Sequence, residues 1–214
     1  MIKVTYIDSM GSDLTTVNAA RVSFNTVKDM LDQKDEKLIK YLANERHMSP
    51  FEHLVMTVLI ECPLYIRSQI HRHRTFSYNE VSRRYTSEDI KFYIPERLKA
   101  QHKTSRQCSD GFAKEFADTK WQKLLPEVYR LLETYYHDMI LDGISREDAR
   151  GILPTSLMTK FWMTGNLRNW MHFYALRSDS HAQAESQVIA EKVLKLLVDK
   201  FPLSVNALIE GSKK

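Results

Sequence analysis

The chain has 214 residues, 43% hydrophobic and 27% charged, which excludes a disordered or fibrous protein and fits a single domain, 1–214, with a sizeable core. A net charge of +4 and a pI near 8.9 favour anionic partners without naming one. Two cysteines, Cys62 and Cys108, make neither a disulfide framework nor a zinc cluster. With a polar N-terminus and short apolar runs, a cytoplasmic protein without membrane attachment is expected.

In chain order, Ile2, Val4 and Tyr6 alternate with polar residues and predict an N-terminal strand. Asp13 is placed to cap a helix carrying Leu14, Val17 and Ala20. From Asp35 to Arg46, Leu38, Ile39 and Leu42 share a helical face, with acids early and bases late. Ser49-Pro50-Phe51-Glu52 is a capping-box pattern with Pro50 at the first helical position. "LVMTVLIEC" reads as a buried strand ended by Pro63, followed by a helix running toward Arg74. Ser77-x-x-Glu80 has the form of a second capping box and predicts another short helix. "IKFYIP" reads as a short strand, and long amphipathic helices are expected over roughly 105 to 142. A short helix from Ser145 to Arg150, a strand at "SLMTKFWMT", a helix capped by Asn166 and another from Gln183 to Lys200 complete the chain. The fold class is α+β: helix-rich, around one central sheet.

The stretch "QIHRHRTFSYNEVSRRY", residues 69–85, interleaves arginine and histidine with hydroxyls, aromatics and one carboxylate. On a helix, Gln69, Arg72 and His73 would share one face, and Arg67, His71 and Arg74 another. Glu80 and Arg84, at i and i+4, could form a surface ion pair. A metal site is disfavoured: His71 and His73 splay apart on a helix, and the flanking arginines repel a cation. Nucleic acid is a weaker fit than a small ligand, because Glu80 lies within the patch and no recognised nucleic-acid module is present. A mononucleotide or phosphate-bearing cofactor uses every residue type here: arginine forks for phosphate, helix-start N–H groups and the Gln69 amide for a base edge.

A second cluster, "NLRNWMHFYALRSDSHAQ", occupies 166–183. Arg168 and His172 share a helical face, while Trp170, Phe173, Tyr174 and Arg177 form another stripe. That stripe is largely apolar, so Arg177 either meets a ligand or ends the helix and bonds its last carbonyls.

Arg72-His73-Arg74 followed, after seven residues, by Ser82 resembles the signature of the flavin-dependent thymidylate synthases (ThyX). "NAARVSF", "HMSPFEH", "SYNEVSRRY", "FYIPERL", "EDARGILP" and "LRSDSHAQ" are similar to family segments in family order, so the resemblance spans nearly the whole chain. It implies a ThyX-like fold and the reductive methylation of dUMP to dTMP. The methylene would come from 5,10-methylenetetrahydrofolate and reducing equivalents from NADPH through FAD, in a homotetramer with FAD sites built from several subunits. No enzyme cysteine is required.

By the same matching, Arg177 would favour the ionised uracil, and Gln69, Arg72, Glu80, Ser82, Arg83, Arg84 and Arg150 would complete the dUMP site. Arg84 and Arg150 are the first candidates for the phosphate. For FAD the match carries over Ser23, His47, Ser49, Arg72, His73, Arg74, Glu80, Asn166, Arg168 and His172. The glycines form no GxGxxG, so FAD would not be bound in the Rossmann manner. Arg83 stands where the family usually has glycine, His172 where asparagine is common, and Ser68 where some members carry arginine.

Overall fold

The computed structural model describes residues 1–106 and 108–212. Its centre is a four-stranded antiparallel sheet in the order β1-β2-β6-β3, with β1 Lys3–Met10, β2 Val55–Pro63, β6 Met158–Asn166 and β3 Ser77–Glu80. β2 and β6 are in unbroken register from Val55 opposite Asn166 to Pro63 opposite Met158. The buried face of this pair carries Met56, Val58, Ile60, Cys62, Phe161 and Met163, all without exposed surface. The opposite faces are half-buried or exposed, as the two-residue period requires.

Helices cover that buried face. α6 (Leu167–Arg177) contributes Leu167, Trp170 and Phe173, and Asn166 caps it as expected, accepting from Asn169 N at 3.0 Å. The Trp170 indole donates to the Met56 carbonyl at 3.1 Å and pins α6 to the sheet. α7 (Ala184–Lys200) packs on α6 and β1, and α8 (Pro202–Gly211) packs on α2 (Gln33–Asn44) and α7.

α8 was not legible in the sequence, and its N-terminal cap lies far away in the chain. Ser12, rather than Asp13, occupies the N-cap of α1 (Asp13–Arg21). The buried Asp13 carboxylate accepts instead from Leu203 N (3.0 Å) and Ser204 N (2.8 Å) in the first turn of α8.

Several local expectations change. α3 spans only Leu64–Ile70 and does not reach Arg74, so Gln69, Arg72 and His73 do not share a helical face. Ser77 to Glu80 is the edge strand β3 and not a helix. Hydrogen bonding to the free edge of β6, with Tyr78 turned inward, outweighs the local capping pattern. The Glu80–Arg84 pair therefore does not form.

Ser49 to His53 is a 3-10 turn without a side-chain cap, and "IKFYIP" contributes only an isolated bridge, Phe92 to Leu157. The start of the segment expected to be helical from about 105 instead forms a strand, β5 (Ser109–Phe112), which pairs with β4 (Lys99–Gln101) just before it. Gly111 takes a φ of 62°, outside the helical range. α4 then runs Glu115–Leu141 and buries fully only Tyr136, leaving Trp121, Val128 and Leu131 nearly half exposed. The short α5 is Arg146–Ala149, begun by Ser145, whose hydroxyl accepts from Asp148 N. No described helix is long and apolar enough to cross a membrane.

Candidate active site

The turn that follows α3 carries Arg72-His73-Arg74. It is fixed by the Tyr78 hydroxyl, which shares its proton between the carbonyls of His73 (2.8 Å) and Ile70 (3.2 Å). This hydroxyl gives the His73 carbonyl a partner and adds a second donor to the Ile70 carbonyl, which already accepts from His73 N at 3.0 Å. Phe76, packed on Trp170 with ring centroids 4.6 Å apart, anchors the other side of the turn. His73 is turned inward and is only 7% exposed, whereas Arg72 and Arg74 are exposed and make no ion pair among the described residues.

Arg177, at the end of α6, closes on this turn. Its Nε donates to His73 Nε2 at 3.0 Å and its Nη2 to the Gln69 carbonyl at 2.7 Å. Arg177 therefore does not bond the last carbonyls of its own helix. An imidazole accepting at Nε2 is neutral and carries its proton on Nδ1. Burial, then the charges of Arg177 and His172, pushes the His73 pKa down to about 4, in agreement with that state. Burial likewise lowers that of Arg177. The Gln69 side chain is also engaged: its Nε2 donates to Gln183 Oε1 at 2.6 Å, and its Oε1 accepts from Ser186 at 3.1 Å.

A second group of the expected residues lines a cavity of about 280 Å³: Glu80, Ser82, Arg83 and Arg150, together with Arg67 and Thr159. Glu80 is gripped by the Arg67 fork, at 2.9 Å and 2.7 Å, and accepts from Thr159 Oγ1 at 2.6 Å. Neither partner was singled out from sequence as holding Glu80. The Arg67–Glu80 pair joins a helix to a strand thirteen residues away, a relation that no helical or strand spacing encodes.

Arg84 pairs with the Glu147 carboxylate at 3.1 Å, and Arg150 Nε donates to the Glu147 carbonyl at 3.2 Å, so the two proposed phosphate ligands meet at one residue. Arg83 points back into its own loop and donates to the carbonyls of Glu88 and Asp89. It takes the role of a loop brace where glycine is usual.

The expected cofactor residues are more dispersed. Arg168 and His172 line a cavity of about 430 Å³ with Arg46, Met48 and Met171, and Arg168 bonds Glu52 at 2.6 Å. The His172 ring lies 6.0 Å from that of His73 and connects this group to the turn. Ser23, His47 and Ser49 are exposed, and His47 packs edge-on against Tyr41. His71 is separated from His73: its ring lies 4.2 Å from Tyr78 and 4.9 Å from Phe161 in an aromatic cluster. The Cys62 thiol lies close enough to Glu80 and Arg67 to feel their charges, whereas Cys108 lines neither cavity. Cys62 lies in the core face of β2, its pKa pushed up to about 12 mainly by burial. Cys108 precedes β5 in irregular chain, not in a helix.

Known proteins are similar to this chain in sequence and in fold over nearly its whole length. The family model described as "Thymidylate synthase complementing protein" matches residues 5–203. A flavin-dependent thymidylate synthase of Thermotoga neapolitana is 39% identical over 212 residues, 99% of this chain and 92% of the relative. Another, from Kosmotoga olearia, is 37% identical over 207 residues, 96% of this chain and 89% of the relative. The crystal structure of a UMP/dUMP methylase, PolB, from Streptomyces cacaoi bound with 5-Br dUMP has the same fold. It matches with a TM-score of 0.87 at 32% identity, over 98% of this chain and 95% of that one. With the signature turn, the family model and relatives of nearly equal length in accord, the chain belongs to the flavin-dependent thymidylate synthase family.

Proposed function

We propose that the protein converts dUMP to dTMP by reductive methylation, with 5,10-methylenetetrahydrofolate as carbon donor and NADPH as reductant through FAD. The observation that carries this reading is the partly buried Arg177 guanidinium, held on one side by His73 and Gln69. A cation in a desolvated setting stabilises negative charge on a pyrimidine ring far better than it would in water. That suits activation of the uracil by ionisation, without covalent attack by an enzyme thiolate. The state of Cys62 supports the same route, since a buried thiol raised to about 12 supplies almost no nucleophilic thiolate at neutral pH, even beside Arg67.

In this reading the uracil lies against Arg177 and Gln69, and Ser82 donates a hydrogen bond to the nucleotide. Arg84 and Arg150 take its phosphate, with Arg72 and Glu80 completing the site. Arg83 contributes by bracing the loop that carries Ser82 and Arg84.

The residues also fit FAD. The exposed Arg72 and Arg74, unpaired among the described residues, offer guanidinium forks to a pyrophosphate. Asn166 and Arg168 stand at the start of α6, where anions are favoured. His73, Glu80, His172, Ser23, His47 and Ser49 complete the proposed set. FAD, when bound, supplies the two-electron chemistry that completes a transferred methylene as a methyl group. The dispersal of Ser23, His47 and Ser49 from the turn supports a homotetramer in which several subunits build each cofactor site.

The test is the visible spectrum of the purified protein, with and without NADPH and dUMP. A flavin band that NADPH bleaches, and dTMP formation on adding dUMP and methylenetetrahydrofolate, are expected. A colourless protein that neither takes up FAD nor oxidises NADPH rules the reading out.

A further inference from the structure

The bonds around Gln69 run in one direction. Ser186, fully buried in the first turn of α7, donates its hydroxyl to Gln69 Oε1 at 3.1 Å. The Ala182 carbonyl, four residues before Ser186 and just ahead of α7, accepts from Gln187 Nε2 at 2.7 Å. With its oxygen occupied, Gln69 turns its Nε2 outward and donates to Gln183 Oε1 at 2.6 Å, which in turn occupies the Gln183 oxygen. The second Gln69 N–H, the Gln183 amide nitrogen and the free edge of Arg177 are donors left over for a ligand, while the Gln69 oxygen is turned toward the buried Ser186. The Gln69 main-chain carbonyl already accepts from Arg177 Nη2 at 2.7 Å and from Arg72 N at 3.3 Å.

We infer that Ser186 is a specificity-determining positioning residue: by fixing the Gln69 amide with its nitrogen outward, it makes this wall of the nucleotide site accept a 4-oxo pyrimidine and refuse a 4-amino one. The inference rests on the reading of Gln69 and Arg177 as the pyrimidine-binding side. Uracil offers an acceptor at position 4, which pairs with a donor wall. Cytosine offers an amino group there, so donor would meet donor, and a polar group left unpaired on binding is the costly outcome. Without the Ser186 hydroxyl the donor that holds the Gln69 oxygen inward is gone, and an amide that flips together with the Gln183 amide presents its oxygen to the cytosine amino group.

The test is titration calorimetry of the FAD-loaded full-length protein with dUMP and with dCMP, for the wild type, Ser186→Ala, Gln69→Leu and the double variant. Ser186→Ala removes one oxygen in favour of a better helix former, so the fold is kept. In Ser186→Ala the preference for dUMP over dCMP is expected to fall about tenfold, the factor one net hydrogen bond supplies. The same change in the Gln69→Leu background should leave the preference unmoved, because the amide it orients is gone. An unchanged preference in Ser186→Ala overturns the inference, as does an equal loss in both backgrounds. If the wild type binds dUMP no better than dCMP, the inference fails while the nucleotide site stands. If it binds neither, the reading of the site fails and takes the inference with it.

Discussion

Arg177 and His73, 104 residues apart in the chain, meet Nε to Nε2 at 3.0 Å, and the contact requires an uncharged imidazole. A protonated His73 would lose its acceptor and face the guanidinium as a like charge. The enclosure by Phe173, whose ring centroid is 5.0 Å away, and by Phe76 and His172 maintains the neutral form.

This sets a pH dependence of stability. The folded pKa of about 4 lies below the ordinary value of 6.5, so the folded protein lacks a proton that the unfolded chain takes up. The contribution is intact above pH 6.5 and is lost as pH falls toward 4, by up to about 3 kcal/mol. Urea unfolding at pH 7 and pH 5 should show the loss, and His73→Gln, which keeps a side-chain acceptor, should flatten it. An identical slope in the variant would assign the titration to other groups.

Arg177→Ala is expected to abolish dUMP methylation, by at least about 10²-fold in turnover, the scale for losing a preorganised charge-stabilising donor. Flavin should be retained, which absorbance after desalting would report. Arg177→Lys should recover little, because a single ammonium lacks the planar fork that bonds His73 and Gln69 together.

The double variant Cys62→Ala, Cys108→Ala should methylate dUMP at close to the wild-type rate. Cys62→Ala alone should cost about 1 kcal/mol in thermal or urea unfolding from the small cavity left in the core. A folded double variant without methylation would show that a thiol takes part.

Gly165→Ala tests the coupling of the sheet to the signature turn. A methyl at Gly165 would overlap the ring of Phe76, which is already enclosed by Trp170 and Phe173. The expected cost is about 1–3 kcal/mol from overpacking. Because Phe76 anchors the turn, flavin retention should weaken as well, whereas a purely local strain would leave it unchanged.

Asp13→Ala should destabilise the protein by about 1–2 kcal/mol through loss of the acceptor for the first N–H groups of α8. Asp13→Asn, which keeps an oxygen there, should be milder. Equal melting temperatures for wild type and Asp13→Ala would remove the cap from the stability account.

The strands β1, β2 and β6 and the helices α2, α6 and α7 were legible in the sequence because each carries its own periodicity or cap. Asn166 before "LRNWMHFYALR" is a signal that one turn of chain contains in full. The signature around Arg72, His73 and Arg74 likewise identified the family from a short stretch. What the sequence could not decide was every feature whose partner is remote. Ser77 to Glu80 has the local form of a helix start, yet it became a strand because β6 offered an open edge. Asp13 looks like the cap of the helix it begins but serves α8 instead, 190 residues later. Glu80 found Arg67 rather than its i+4 neighbour, and Arg177 found His73 rather than a carbonyl of its own helix. Local spacing fixes which side chains lie on one face of an element. Only the packing of elements fixes which of them meet, because burial leaves a polar group stable only where some other part of the chain supplies its bond.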